Sequence, residues 1–223
     1  MKNLLLQLRD NIFSAKYKRR VGKPYMMWRE IEILKTILLN FQPQRVLEWG
    51  AGYSTLYFPP FLNRLSQWIS IENDYDWVEH LEMLGPRPEV IIHYIKEDRY
   101  PWSDAYNDGA YDDLKTYIEF PCRFEKFDLI YIDGRARREC LLKSSSLLND
   151  QGIVIVHDAN RRHYYEGLVE AFDNVAILTD YRRTAGGLFI ASRNLDLQSY
   201  IDIDRYKKVW KFYNNKLCKI LAV

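Results

Sequence analysis

Apolar positions between residues 26 and 41 recur at three- and four-residue spacing. Met27, Ile31, Leu34, Ile37, Leu38 and Phe41 share one face of a predicted helix, which Pro43 ends. Beyond Arg45 the pattern changes to short, unbroken apolar runs. RVLEWG, WISIEN, VIIHYI, FDLIYID and GIVIVHD are rich in Val, Ile and aromatic residues and read as buried strands. Helical periodicity fills 75–84, 136–148 and 163–172 at crossover length. This alternation predicts an α/β fold, a doubly wound, Rossmann-like and mostly parallel sheet with helices on both faces. After Phe172 the segments NVAILTDY and LFIAS, joined by RRTAGG, predict a hairpin that ends the sheet with an antiparallel strand. No repeat or Pro/Gly-rich linker interrupts the pattern. The chain reads as one domain, with a helical cap over 1–44, a core over 45–192 and a basic, aromatic segment over 193–223.

The run RVLEWGAGYSTLYF (45–58) takes a strand directly into a glycine turn and a helix start. Gly50 and Gly52 lack a Cβ, so the backbone there can turn sharply and approach a ligand, while Ser54 and Thr55 can donate hydrogen bonds at the helix N-terminus. About twenty residues beyond the turn, Glu72 closes the next strand, where a carboxylate suits a ribose diol. Two nucleotide cofactors share this geometry. A dinucleotide fingerprint requires a small third residue at the position of Thr55. Glu48, just before the turn, suits the cationic amino-acid end of S-adenosylmethionine and repels a pyrophosphate. Pro59 and Pro60 also cut the following helix short.

These residues carry a resemblance. VLEWGAGYST is similar to the first motif of the class I S-adenosylmethionine-dependent methyltransferases, SIEN to the second, FDLIYIDG to the fourth strand and QGIVIVHDAN to the fifth. The likeness spans 45–192, including the terminal antiparallel strand. It implies that Glu48, Gly50 and Gly52 hold the methionine end of the cofactor and Glu72 its ribose. Glu97 or Asp98, after the third strand, would flank the adenine.

In such a sheet the carboxyl ends of strands four and five face the transferred methyl group, and they carry Asp133, His157, Asp158 and Asn160. Asp133 counts with both the cofactor-binding and the catalytic set, and His157 and Asp158 with the catalytic set. Two routes to deprotonating an acceptor are open. Asp133, Asp158 and Asn160 offer hard oxygen ligands for Mg2+, an arrangement that resembles catechol and macrolide-sugar O-methyltransferases, although Ala159 here separates Asp158 from the asparagine. Alternatively His157 acts as a general base. The proline pair typical of amino-methylating enzymes is absent, since Gly134 and Arg135 follow Asp133, so O-methylation is expected.

Charge sharpens the substrate rather than the class. The net charge of +2 gives no global field that points to nucleic acid. Seven arginines, Arg135, Arg137, Arg138, Arg161, Arg162, Arg182 and Arg183, follow strands four, five and six, and their convergence predicts an anionic small-molecule or saccharide acceptor. Residues 99–126 combine tyrosines and Trp102 with aspartates and read as an aromatic lid. RYKKVWKFYNNKLCK (205–219) and KYKRRVGK (16–23) could form one basic patch suited to peripheral membrane contact. Three widely spaced cysteines and an N-terminal apolar stretch too short for export predict a cytoplasmic protein. An NAD-dependent oxidoreductase and a non-catalytic binding module on the same fold are the alternatives.

Overall fold

The computed structural model describes residues 22–180, 182 and 184–220, with side chains through Lys211. A seven-stranded sheet forms its centre: β1 (Arg45–Trp49), β2 (Gln67–Glu72), β3 (Val90–Tyr94), β4 (Phe127–Ile132), β5 (Leu148–His157), β6 (Asn174–Leu178) and β7 (Leu188–Ser192). Their spatial order is β3-β2-β1-β4-β5-β7-β6. The first five strands pair in parallel, and β7 runs antiparallel to both β5 and β6. The predicted hairpin therefore forms with its second strand inserted beside β5 and its first at the edge.

Strand alternation divides the interior in two. Val46, Trp68, Leu129, Tyr131 and Ile155 face one cluster, while Leu47, Trp49, Ile71, Ile132 and Val156 face the other. Helix α1 (Trp28–Phe41) covers the first face with Ile31, Ile33, Leu34, Ile37 and Leu38, all buried. A short α2 (Tyr53–Tyr57) follows β1 and gives way to a single 3-10 turn at Pro59–Phe61, as the proline pair requires. Helix α3 (Tyr75–Met83) links β2 to β3. The second face is covered by α4 (Lys115–Glu119) and α5 (Arg137–Leu147).

One predicted helix does not form. Residues 163–172 contain Gly167 at φ +76°, and the segment breaks into 3-10 turns at Arg162–Tyr164 and Val169–Ala171. The apolar spacing is satisfied by these turns, with Tyr164, Tyr165 and Phe172 buried. The lid also differs from expectation, because Tyr117 is fully buried whereas Tyr100 and Tyr106 are exposed. At the C-terminus α6 (Ile203–Ile220) lays Ile203, Tyr206 and Trp210 on the first cluster, while Lys207, Lys208 and Lys211 stay exposed. The rest of the basic patch, Lys16 to Arg20 and the side chains beyond Lys211, lies outside the described residues. Among the described residues no helix is long and apolar enough to cross a membrane.

Candidate functional site

Winding reverses between β1 and β4, which places a crevice outside their carboxyl ends. Gly50 and Gly134 build its floor. Gly50 has φ +95°, and a Cβ on it would lie 2.4 Å from the Gly134 nitrogen. A Cβ on Gly134 would lie 2.2 Å from the Tyr117 hydroxyl. Only paired glycines let the two strand exits cross this closely. Gly52 is extended, with only Ser54 Oγ 3.5 Å from a Cβ position, and its lack of a side chain serves space at the wall rather than conformation.

A cavity of about 320 Å³ opens above this floor. Gly50, Gly52, Glu72, Asp133 and Arg135 all line it, together with Pro24, Tyr25 and Met26 from the segment before α1. A second cavity of about 310 Å³ shares Asn73, Asp74 and Arg135 with the first and is walled by Glu97, Tyr100 and Trp102. Sequence reasoning missed Asn73, Asp74 and Trp77 of the wall. Trp77 donates from Nε1 to the Ala51 carbonyl at 2.9 Å, so the glycine turn is braced by α3.

Glu48 does not reach the cavity. Its side chain shares the inward face of Val46, it is fully buried, and its carboxylate accepts from Ser54 (2.5 Å), Thr55 (2.7 Å), Ser70 (2.6 Å) and Trp68 Nε1 (2.9 Å). Burial pushes its pKa up against these four donors. Thr55 is also buried and accepts from the Gly52 N–H at 2.9 Å, so Glu48 and Thr55 fix the turn from behind, and only Ser54 of the three lines the cavity. Asp98 is likewise turned away: it is exposed and accepts from the N–H and hydroxyl of Thr116, leaving Glu97 on the wall.

Glu72 does line the cavity. Its carboxylate accepts from the N–H groups of Asn73 (2.8 Å) and Asp74 (3.1 Å). Burial outweighs these bonds and Arg135, pushing its pKa up to about 7. A carboxyl whose pKa is raised on folding costs stability once pH exceeds its unfolded value, and the full cost is reached above the folded value. Glu72→Gln is therefore expected to stabilise the ligand-free protein at pH 8 by about 3 kcal/mol, or roughly 6–12 °C in melting temperature, with little change at pH 4.5. Thermal denaturation at the two pH values checks this.

Beside the cavity, Asp133, His157 and Asp158 come together in a dense ion-pair network. His157 places Nδ1 2.9 Å from Asp133 Oδ1 and Nε2 3.3 Å from Glu30 Oε2. Burial opposes charging this ring, but Asp133 and Asp158 prevail and raise its pKa well above the ordinary value. With both nitrogens against carboxylates and the side chain buried, His157 is held as a partner of Asp133 and Glu30, and it is not among the residues that line the cavity. Glu30, fully buried in α1, also accepts from Arg182 (2.6 Å) and the Gly187 N–H (2.7 Å). Burial raises its pKa, yet His157 and Arg182 bring it down to about 2. Glu30 was not recognisable as functional by motif, although a carboxylate three residues from Met27 and four from Leu34 on an apolar stripe is itself a signal.

Of the magnesium set, Asp133 and Asp158 come together while Asn160 is engaged elsewhere. Asn160 spends its amide on Asp180 (2.8 Å) and the Ala185 carbonyl (2.8 Å), and its oxygen accepts from the Asp180 N–H. Asp158, at φ +62°, gives one oxygen to the Gly186 N–H and the other to Arg137 at 2.8 Å. Asp133, His157 and Asp158 could each offer one atom to an ion, all within 4.8 Å of one another. Those atoms already have partners, since Asp133 Oδ1 meets His157 and Arg137, and Asp158 meets Arg137 and the Gly186 N–H. Among the described residues, Glu30, Asp133, Asp158 and Asp180 face Arg29, Arg137, Arg182 and His157 within 4.0 Å.

The expected ring of arginines is mostly consumed in the same way. Arg161 pairs with Asp108 (3.0 Å) and Arg138 donates to the carbonyls of His163 and Glu166. Arg162 lines a separate cavity with Tyr106 and His163, and Arg183 lies outside the described residues. Arg135, stacked 5.2 Å over Trp102, lines both adjoining cavities, acts on Glu72 at a distance and makes no ion pair within 4.0 Å among the described residues.

No protein-family model matches the chain, and no curated protein matches it by sequence. Solved structures do. An O-methyltransferase from Bacillus cereus in complex with SAH is 16% identical, with a TM-score of 0.55 over 86% of this chain and 90% of that one. The O-methyltransferase from Streptomyces achromogenes involved in tomaymycin synthesis, in complex with SAM, is 17% identical, with a TM-score of 0.52 over 84% of this chain and 98% of its own. A methyltransferase-like protein from Silicibacter pomeroyi is 20% identical, with a TM-score of 0.53 over 83% and 96% of the two chains. Likeness at such identities is likeness of fold, and this chain has the fold of the class I S-adenosylmethionine-dependent methyltransferases.

Proposed function

We propose that this chain is an S-adenosylmethionine-dependent methyltransferase acting on a hydroxyl of a small molecule or saccharide. The observation that carries the reading is one cavity at the sheet's switch point with Glu72 and Asp133 both on its wall. The cofactor, when bound, supplies a methyl group already activated on a sulfonium. Glu72 would accept hydrogen bonds from the ribose hydroxyls, and the Gly50–Gly52 turn would let backbone approach the methionine end. Glu97, Tyr100 and Trp102 of the adjoining cavity would flank the base.

Asp133 would orient the acceptor hydroxyl and take up its hydrogen bond, since it is the carboxylate of the network that lines the cavity. His157 and Arg137 hold Asp133 in place through Oδ1, at 2.9 and 3.2 Å. Arg135 gives an anionic group on the acceptor a counter-charge at the cavity wall. A cytoplasmic setting accompanies this reading, supported by the free thiols of Cys122 and Cys140. The experiment is transfer of a labelled methyl group from S-adenosylmethionine to a panel of neutral and anionic sugars and phenols. Label in an acid-stable methyl ether of one class is expected. Label confined to amines, or none with any acceptor, would overturn the oxygen assignment or the enzyme itself.

A further inference from the structure

Arg137 opens α5 directly after β4, aimed by Ala136, which sits in the left-handed region at φ +43° with its N–H on the Asp108 carbonyl at 3.0 Å. A guanidinium has five N–H donors. Here four hydrogen bonds and one close ion-pair contact engage the group. Nε donates to the Gly134 carbonyl (3.0 Å), and Nη1 donates to the His157 carbonyl (3.0 Å) and Asp158 Oδ2 (2.8 Å). Nη2 donates to the Asp133 carbonyl (3.1 Å) and lies 3.2 Å from Asp133 Oδ1. The ring of Tyr164 covers the group at 5.3 Å, and the side chain is 10% exposed. Carbonyl and carboxylate oxygens from the ends of β4 and β5 thus converge on one buried cation.

We infer that Arg137 is the built-in cation of this site, holding the ends of β4 and β5 together in the place a divalent metal ion would take. Its fork supplies fixed charge and geometry to Asp133 at the cavity wall, and transfer then needs no divalent ion, a consequence that rests on the methyltransferase reading. The occupancy itself does not. Removing the guanidinium leaves Asp133, Asp158 and His157 as a carboxylate–imidazole set of the kind that takes Mn2+.

Calorimetric titration of the full chain with Mn2+, without cofactor, tests the inference apart from any activity. Wild type is expected to show no saturable uptake. Arg137→Ala and the milder Arg137→Gln, checked for folding by circular dichroism, are expected to bind one Mn2+ at least tenfold more tightly than wild type, and Asp158→Asn in either background to abolish it. One-to-one uptake by wild type that Asp158→Asn removes would overturn the inference, as would folded Arg137 variants that take up none. If neither variant folds, the wild-type titration decides alone. A chelator is also expected to leave wild-type affinity for S-adenosylhomocysteine unchanged within twofold, and a larger loss would count against Arg137 as the resident cation.

Discussion

Gly50→Ala is expected to destabilise the protein by about 3 kcal/mol or more and to abolish binding of S-adenosylhomocysteine. Two costs add. An alanine at φ +95° occupies backbone space that side chains disfavour, and its Cβ would stand 2.4 and 2.5 Å from the backbone nitrogen and Cα of Gly134. Neither neighbour can swing aside, because the residue before Gly134 is pinned by the Asp133 N–H on the Trp49 carbonyl at 2.8 Å. The floor of the cavity must therefore open. Gly52→Ala is the control: with extended backbone and ordinary contacts it should cost less than about 1 kcal/mol while narrowing the cavity wall. Thermal denaturation and ligand titration of both variants separate conformational need from space.

Asp133→Asn should lower methyl transfer by about 10² to 10⁴-fold while leaving S-adenosylhomocysteine affinity within a fewfold of wild type. Asparagine keeps the shape but removes the negative charge facing His157 and Arg137. Stability should fall as well, by about 3 kcal/mol, because two buried cations lose a shared partner. Single-turnover rates on folded protein, compared with the affinity, distinguish a role in the reacting site from a general loss of structure. Equal losses in rate and cofactor affinity would assign Asp133 to cofactor binding alone.

Much of this site was legible in the chain itself. The glycine turn, Glu72 and Asp133 could be read because strand, turn and helix follow one another within single motifs, and strand ends in a parallel sheet share one edge. Glu48 is turned away because strand alternation puts it on the face of Val46, and the turn residues Gly50, Gly52 and Ser54 reach the cavity in its place. Asp74 and Asp133 line the cavity in its stead, and their charge would repel a pyrophosphate there. His157 and Asn160 stand where local reasoning put them along the chain. Their partners, Glu30 and Asp180, come from 127 and 20 residues away, and no local pattern announces a buried ion-pair network. Arg137, Arg161 and Arg182 are paired for the same cause, since folding brings opposite charges to them that a sequence count does not see, while Arg135 remains at the cavity wall.

The most direct measurement is calorimetric titration of the purified protein with S-adenosylhomocysteine, in parallel with Glu72→Ala. One-to-one binding to wild type that the variant loses is the predicted result. No saturable heat with wild type, or binding that Glu72→Ala leaves untouched, would contradict a cofactor site built on Gly50, Gly52 and Glu72.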